Sequence, residues 1–430
     1  MSTLDELVAA LGARRAASEW VATWRQRRTG LAISGASAGG ALRRVDEREL
    51  LGAVVHTDTG SGRGSARLSL GPDAQPIVPA LDDALERAAG AAGPAWRMTP
   101  PAAPARVALA DPALEAGAIA DVAADVARAL GAASAARGVE LAAIEAEVVR
   151  DVVAVAGSQG LEVRWRATEV AVRAVVTAAG HRRDLAVRAR RRADLQLERA
   201  VDDARALLEL ATRVEPTPTG AWPIALRPPA LLAGGGHGLL AAIVAQADAT
   251  AERQGLTRYR AGQPIAAGAA ASGNPLTLAS DGTLPFAPLS APLADDGEPV
   301  RRFTLVDRGV ARSVALDHRE AALRRLPPNG GVRNLVVSAG SAAEADLLAP
   351  PVLEILDLAW VDLDLRTGDL VAAIGLGIFH DVGHDRPVAG GLVRFDAVAA
   401  FALARRSAAL VHRGAYVGPD LWRLPAAAVE

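Results

Sequence analysis

His380 and His384 stand four residues apart in His380-Asp381-Val382-Gly383-His384, the spacing that sets two imidazoles on one face of a helical zinc site. An alternating strand pattern precedes the pair and Arg386-Pro387 follows it, so the stretch reads as a solvent-exposed turn. The glutamate that would act as general base is missing. His237 follows Gly234-Gly235-Gly236 and opens a helix, a setting that could hold an anion or a metal. One turn downstream, however, stand Leu240, Ala241 and Ala242, and a lone histidine reads as structural. Asp295-Asp296 sits in a loop whose turn chemistry accounts for both acids, and Asp362 and Asp364 point outward from one strand face. The turn Gly60-Ser61-Gly62-Arg63-Gly64 lacks the Lys-Ser/Thr of a phosphate loop. Neither a G-x-S-x-G elbow nor a dinucleotide fingerprint occurs.

Composition narrows the chemistry further. The 430 residues contain no cysteine, so disulfides, thiolate metal sites and a cysteine nucleophile are excluded. They contain no lysine either, which removes Schiff-base and P-loop lysines. Arginine supplies all 47 basic residues against 49 acidic ones, a formal charge of -2 that gives no reason to expect nucleic acid or an anionic membrane. The arginines Arg188, Arg190, Arg191 and Arg192 read as a solvated face. The first residues carry acids early and lack a signal-peptide pattern, and every long apolar stretch is interrupted, so a cytoplasmic chain without membrane spans is expected.

The elements that must position these residues fall into three segments. In residues 1–100, a helix over 3–16 precedes mixed stretches, then a hairpin of 50–55 and 66–70 and a helix over 78–89. Residues 105–215 begin at the cap Asp111-Pro112 and carry Ile119, Val122, Val126 and Leu130 at helical spacing. Period-two strands follow through Leu161, Val163, Trp165, Val170 and Val172, and a second helix displays Leu197, Val201 and Leu208. Residues 216–430 are mostly strands and turns: a hairpin of 303–305 with 310–316, a helix capped by Ser341 and Glu344, alternation through 361–365 and 374–378, and a last helix over 397–411. The fold class is α+β, with N-terminal mixed α/β segments before a C-terminal, largely antiparallel β domain.

From Gly220 onward the sequence resembles the TldD/PmbA family of peptidase-related proteins. Trp222-Pro223-Ile224-Ala225-Leu226 looks like the strand entering the family's helix. Asp295-Asp296-Gly297-Glu298 resembles its D-D-E-G loop, and Arg333-Asn334-Leu335 its R-N-L strand. Thr367-Gly368-Asp369 and Pro387-Val388-Ala389-Gly390 are similar to its late T-G-D and P-V-x-G stretches. In the TldD branch the helix carries H-E-x-x-x-H, two zinc ligands around a general base; here His237-Gly238-Leu239-Leu240-Ala241-Ala242 occupies that place.

The resemblance therefore implies the metal-free TldE/PmbA branch. It implies a non-catalytic subunit without cofactor that binds unfolded or precursor peptide in a chamber shared with a zinc-bearing TldD-type partner, as a heterodimer. Asp296, Gly297, Asn334, Gly368 and Asp369 are the family-motif positions carried over. Gly375 and Gly377 join them because paired strand glycines permit close backbone approach. Two rival readings stay open: a stand-alone metallopeptidase using His237 or the His380/His384 pair, and a peptide-binding module without protease role.

Overall fold

The computed structural model describes residues 3–35, 42–60, 62–71, 76–91, 93–178 and 180–430. The N-terminal half is built on one six-stranded antiparallel sheet. Its strands are β1 (Glu19–Gly35), β2 (Leu42–Thr59), β3 (Gly62–Leu70), β4 (Glu140–Gly157), β5 (Glu162–Ala178) and β6 (His181–Ala189), in the spatial order β3-β2-β1-β4-β5-β6. The first two sequence segments thus contribute three strands each to the same sheet.

Helices cover one face of it. On α1 (Thr3–Gly12) and α2 (Ile77–Gly90), Leu7, Leu11, Leu81 and Leu85 pack on Trp20, Ala22, Val55 and Leu68. After the single turn α3 (Pro112–Glu115), which Asp111 caps, come α4 (Ile119–Ala136) and α5 (Leu197–Ala211). They seat the foreseen stripe of Ile119, Val122, Val126 and Leu130 on Ala32, Val148, Val170 and Val172. Alternation along the strands sends Val21, Val153 and Val155 to the opposite face. There they meet Trp96, Met98 and, from the C-terminal half, Leu293.

The C-terminal half holds two sheets around one core. Strands β7 (Glu215–Pro216) and β8 (Gly220–Leu226) lead into the short helices α6 (Pro228–Leu231), α7 (Ala241–Gln246) and α8 (Ala249–Arg253). Then follow β9 (Leu278–Asp281), β10 (Arg302–Asp307), β11 (Val310–Ala311), α9 (His318–Arg324), β12 (Asn334–Val337) and α10 (Glu344–Leu347). The last stretch comprises β13 (Val352–Leu363), β14 (Asp369–Asp381), β15 (His384–Ala389), β16 (Leu392–Asp396), α11 (Ala397–Leu403), β17 (Arg405–Arg406), β18 (Leu410–Arg413), β19 (Tyr416–Pro419) and β20 (Trp422–Val429). One sheet runs β11-β10-β9-β12-β19-β18. The other runs β13-β8-β20-β16-β14-β15-β7, and a further β13–β14 pairing closes its first five strands into a ring. The α+β class holds, and no helix among the described residues is long and apolar enough to cross a membrane.

Several sequence expectations are corrected. Residues 19–35 and 42–49 are not mixed stretches: they belong to two long strands, held by cross-strand pairs such as Gln26–Glu47 and Arg28–Glu47. The Ser341 cap does not form. The one-turn α10 starts after Ala343 without a side-chain cap, because Glu344 is drawn away to Arg227. The last helix stops at Leu403, after which the chain extends and buries Arg406 beside Trp422. The return strand beyond β10 ends at Ala311; Val314 and Leu316 enter the core as irregular chain. Arg190 is not on a solvated face but donates to the carbonyls of Ala287 (3.0 Å), Pro288 (2.8 Å) and Ser290 (3.3 Å), clamping the two halves together.

Candidate functional site

Around α7, loops from distant parts of the chain converge. Gln246, which ends α7, is buried; its amide donates to the carbonyls of Leu365 (3.2 Å) and Arg366 (2.8 Å), and its oxygen accepts the Arg258 N–H at 2.8 Å. The Arg258 guanidinium donates to the Thr367 carbonyl (2.6 Å) and to Asp396 (3.0 Å), the residue that caps α11. The turn Thr367-Gly368-Asp369 is therefore bolted to α7 and α11, with Gly368 inside the joint and Asp369 exposed.

At the other end of the same region, His237 is half-buried and its Nε2 donates to the Arg333 carbonyl at 2.7 Å. Burial pushes the ring below its ordinary value against that bond, so it stays neutral with only Nδ1 left as a lone pair. The adjacent Asn334 is fully buried. Its amide donates to the Asp281 carbonyl (2.7 Å) and Ser290 Oγ (2.9 Å), and its oxygen accepts from Leu289 N (3.0 Å). That residue joins β9, β12 and the intervening loop rather than facing open space. Gly238 has φ +57°, and a Cβ there would lie 2.3 Å from the Leu231 carbonyl oxygen, so this backbone accepts no side chain at that place. Ala242 is fully buried in the C-terminal core.

His380 is not in an exposed turn. It lies in β14, 8% exposed, and pairs across β15 with Asp385, while His384 pairs with Asp381. Strand alternation puts His380 and His384 on opposite faces, so the four-residue spacing brings no two ligands together. Nε2 of His380 meets Glu354 at 3.0 Å and Nδ1 meets Asp385 at 2.8 Å. The bond to Glu354 raises His380 above its ordinary value, against burial and with Asp385 adding to the rise, which favours an imidazolium donating from both nitrogens. Such a ring has no lone pair for a metal. Burial alone would push the Glu354 carboxyl up, but His380 and Arg227 outweigh it and hold it below the ordinary range. Arg227 also engages Glu344 and, at 3.6 Å, Asp420.

Gly375 and Gly377 adjoin this network, and the backbone they admit is that of β13 in the same chain. A Cβ on Gly377 would stand 2.7 Å from the Glu354 carbonyl oxygen, and Gly375 faces the bulge at Asp357. Asp369 and His380 stand at opposite ends of β14, separated by roughly 35 Å of strand.

The loop carrying Asp296 and Gly297 lies elsewhere, where the two halves meet. Gly297 packs against Leu161 and Val21 of the N-terminal sheet, and the Asp296 carbonyl accepts from Nε2 of His318 at 3.1 Å. Beside it Glu298 is 1% exposed; burial first, then Asp296 and Asp317, push its carboxyl up to about 9. The candidate residues thus divide among three places, and no three His, Asp or Glu side chains among the described residues converge on a point that could hold a metal.

Residues 228–389 match the family described as the PmbA/TldA metallopeptidase C-terminal domain. Solved structures align over both halves. TldE from Thermococcus kodakarensis is 15% identical with TM-score 0.74, covering 100% of this chain and 99% of its own. A candidate modulator of DNA gyrase from Bacteroides thetaiotaomicron is 13% identical with TM-score 0.78, covering 99% and 98%. Another from Thermotoga maritima is 15% identical with TM-score 0.74, covering 100% of each. Residues 228–389 thus carry this family's C-terminal domain, and the likeness to the solved structures extends the shared fold over both halves of the chain. No curated protein matches it.

Zinc, which this metallopeptidase-related family implies, does not fit the donors at α7. His237 offers one nitrogen, Gly238 admits no glutamate and Ala242 offers nothing. Sequence reasoning missed Glu354 and Asp385, which meet His380 from β13 and from the next strand, and Arg227, which reaches Glu354 from far along the chain. It also missed His318, although Asp317 with Glu320 is a helix-start signature: Asp317 accepts from Glu320 N at 2.7 Å.

Proposed function

We propose that this chain is a TldE-like, non-catalytic subunit of a TldD/TldE-type metallopeptidase. It binds unfolded or precursor peptide in a chamber completed by a zinc-bearing, TldD-type partner. The observation that carries this reading is the backbone at Gly238 together with the core position of Ala242. Where the TldD branch needs a glutamate and a second histidine, this chain has a glycine whose backbone admits no side chain and an alanine buried in the core. The full-length likeness to a protein named TldE agrees with it. The rival that places a metal at His380 and His384 is disfavoured by their opposite faces and by the two carboxylates already on His380.

In this account the partner supplies the metal and the activated water, and this chain supplies walls and peptide contacts. Peptide bound through main-chain hydrogen bonds would be held with little regard to side chains. The test is co-expression with a family member carrying H-E-x-x-x-H, followed by size measurement and hydrolysis of an unfolded peptide. The expected result is a one-to-one complex that cleaves while this chain alone does not. Chelator-sensitive turnover by the isolated chain, or the absence of any complex, would contradict the proposal.

A further inference from the structure

The N-terminal sheet leaves part of one strand unpaired along an edge. β1 pairs with β2 over residues 42–56, but on the other side of β2 the shorter β3 pairs only with residues 51–59. Among the described residues no strand lies beside residues 42–48 on that side. All of these residues but Asp46 are exposed, Val45 by 48% and Leu42 by 65%. We propose that this edge pairs antiparallel with the same edge of a second copy of the chain, about a twofold axis at Val45, joining two six-stranded sheets into one.

The order of charges along the edge selects this occupant. An unpaired edge invites another strand, and charges on it turn away any strand that does not match them. Residues 42–48 read Leu-Arg-Arg-Val-Asp-Glu-Arg, with two cations just before Val45 and two anions just after it. Turned about Val45, Arg43 of each copy stands opposite Glu47 of the other, and Arg44 opposite Asp46. Strand alternation keeps each pair on one face. Arg43, Val45 and Glu47 lie on the side of α4, where Arg43 reaches Asp121, and Arg44 and Asp46 lie on the other side. Opposite charges therefore meet on both faces, the two Val45 side chains pack at the axis, and Leu42 lies opposite the stem of Arg48. Sliding one strand by two residues sets Arg44 opposite itself in one direction and Asp46 opposite itself in the other. Sliding by one residue throws the two helical layers onto opposite sides of the joined sheet.

The charges are free to change partners. Arg43–Asp121, Arg44–Asp46 and Arg28–Glu47 are ion pairs of largely exposed side chains, which exchange at little cost. β2 keeps an unbroken register with β1 here, so no bulge or proline bends the edge away. The surface belongs to the N-terminal sheet, and the inference does not rest on the peptidase reading.

The experiment is sedimentation of the full chain alone in low salt, from about 1 to about 200 μM. A reversible dimer is expected, weakened at least about tenfold by the double variant Arg43→Glu, Arg44→Glu and by the double variant Asp46→Arg, Glu47→Arg. Mixing the two double variants should restore association, because each presents the charges that the other now needs. Val45→Lys, a change at an exposed position, sets two ammonium groups face to face at the axis. It should weaken the dimer as much while the chain melts as before. A monomer throughout that range, a dimer indifferent to Val45→Lys, or folded double variants that fail to associate on mixing would overturn the proposal.

Discussion

Glu298 folds with its carboxyl in a site that burial and two neighbouring acids make hostile to charge, whereas the unfolded chain leaves it free to ionise. Its folded value of about 9 lies above the ordinary 4.5, so its cost to stability is absent below 4.5 and accumulates as pH rises towards 9. At pH 7 it is on the order of 3 kcal/mol. Glu298→Gln keeps an oxygen acceptor and removes the ionisation. Urea titrations should find the variant more stable than the parent at pH 8 and equal to it near pH 4.5; equal stability at both would refute the assignment. The network at His380 has its own window. His380, raised above 6.5, contributes below that pH and loses its contribution as pH rises, while Glu354, held below 4.5, contributes above 4.5 and loses it on acidification. Arg227→Met would leave Glu354 buried with His380 alone, at an expected cost of about 3 kcal/mol in a urea melt at pH 6. Glu354 and Arg227 are not local to His380 in sequence, which is why His380 reads as an exposed turn until β13 and β8 are seen beside it.

At the scale of elements, the sequence was most legible where one face is dry and the other wet. Helices α2, α4 and α5 and strand β5 carry regular apolar periods, and each lies close to where those periods place it. The long strands β1 and β2 were illegible because their outer halves are polar on both faces: Arg25 to Arg28 face Glu47, Glu49 and Asp151, and their order comes from pairing. The end of α11 was missed because apolar spacing continues past Leu403 while packing pulls Arg406 inward. The glycines of β14 were visible, but the partner they admit was not. Gly377→Ala should push β13 and β14 apart at Glu354 and cost at least about 2 kcal/mol, read as a lowered thermal midpoint. An unchanged midpoint would mean that the strands do not approach as described.

For the whole molecule, the proposed complex needs a surface to bury. Among the described residues, β13 has no strand beyond Ile355 on the side away from β14, and near that edge Trp360 and Leu365 are each 49% exposed. An obligate interface above roughly 2,000 Å² would cover this end of the hairpin, next to the Thr367-Gly368-Asp369 turn. The double variant Trp360→Asp, Leu365→Asp should weaken association with a TldD-type partner by more than about tenfold, because charges would be buried unpaired, while the free chain melts as before. Unchanged co-purification would move the interface elsewhere. The central claim, that this chain furnishes no zinc site, is tested most directly by elemental analysis of the purified chain without a partner. The account predicts far less than one zinc per chain after dialysis against zinc-containing buffer. About one tightly held zinc per chain, lost on His237→Ala or His380→Ala, would contradict it.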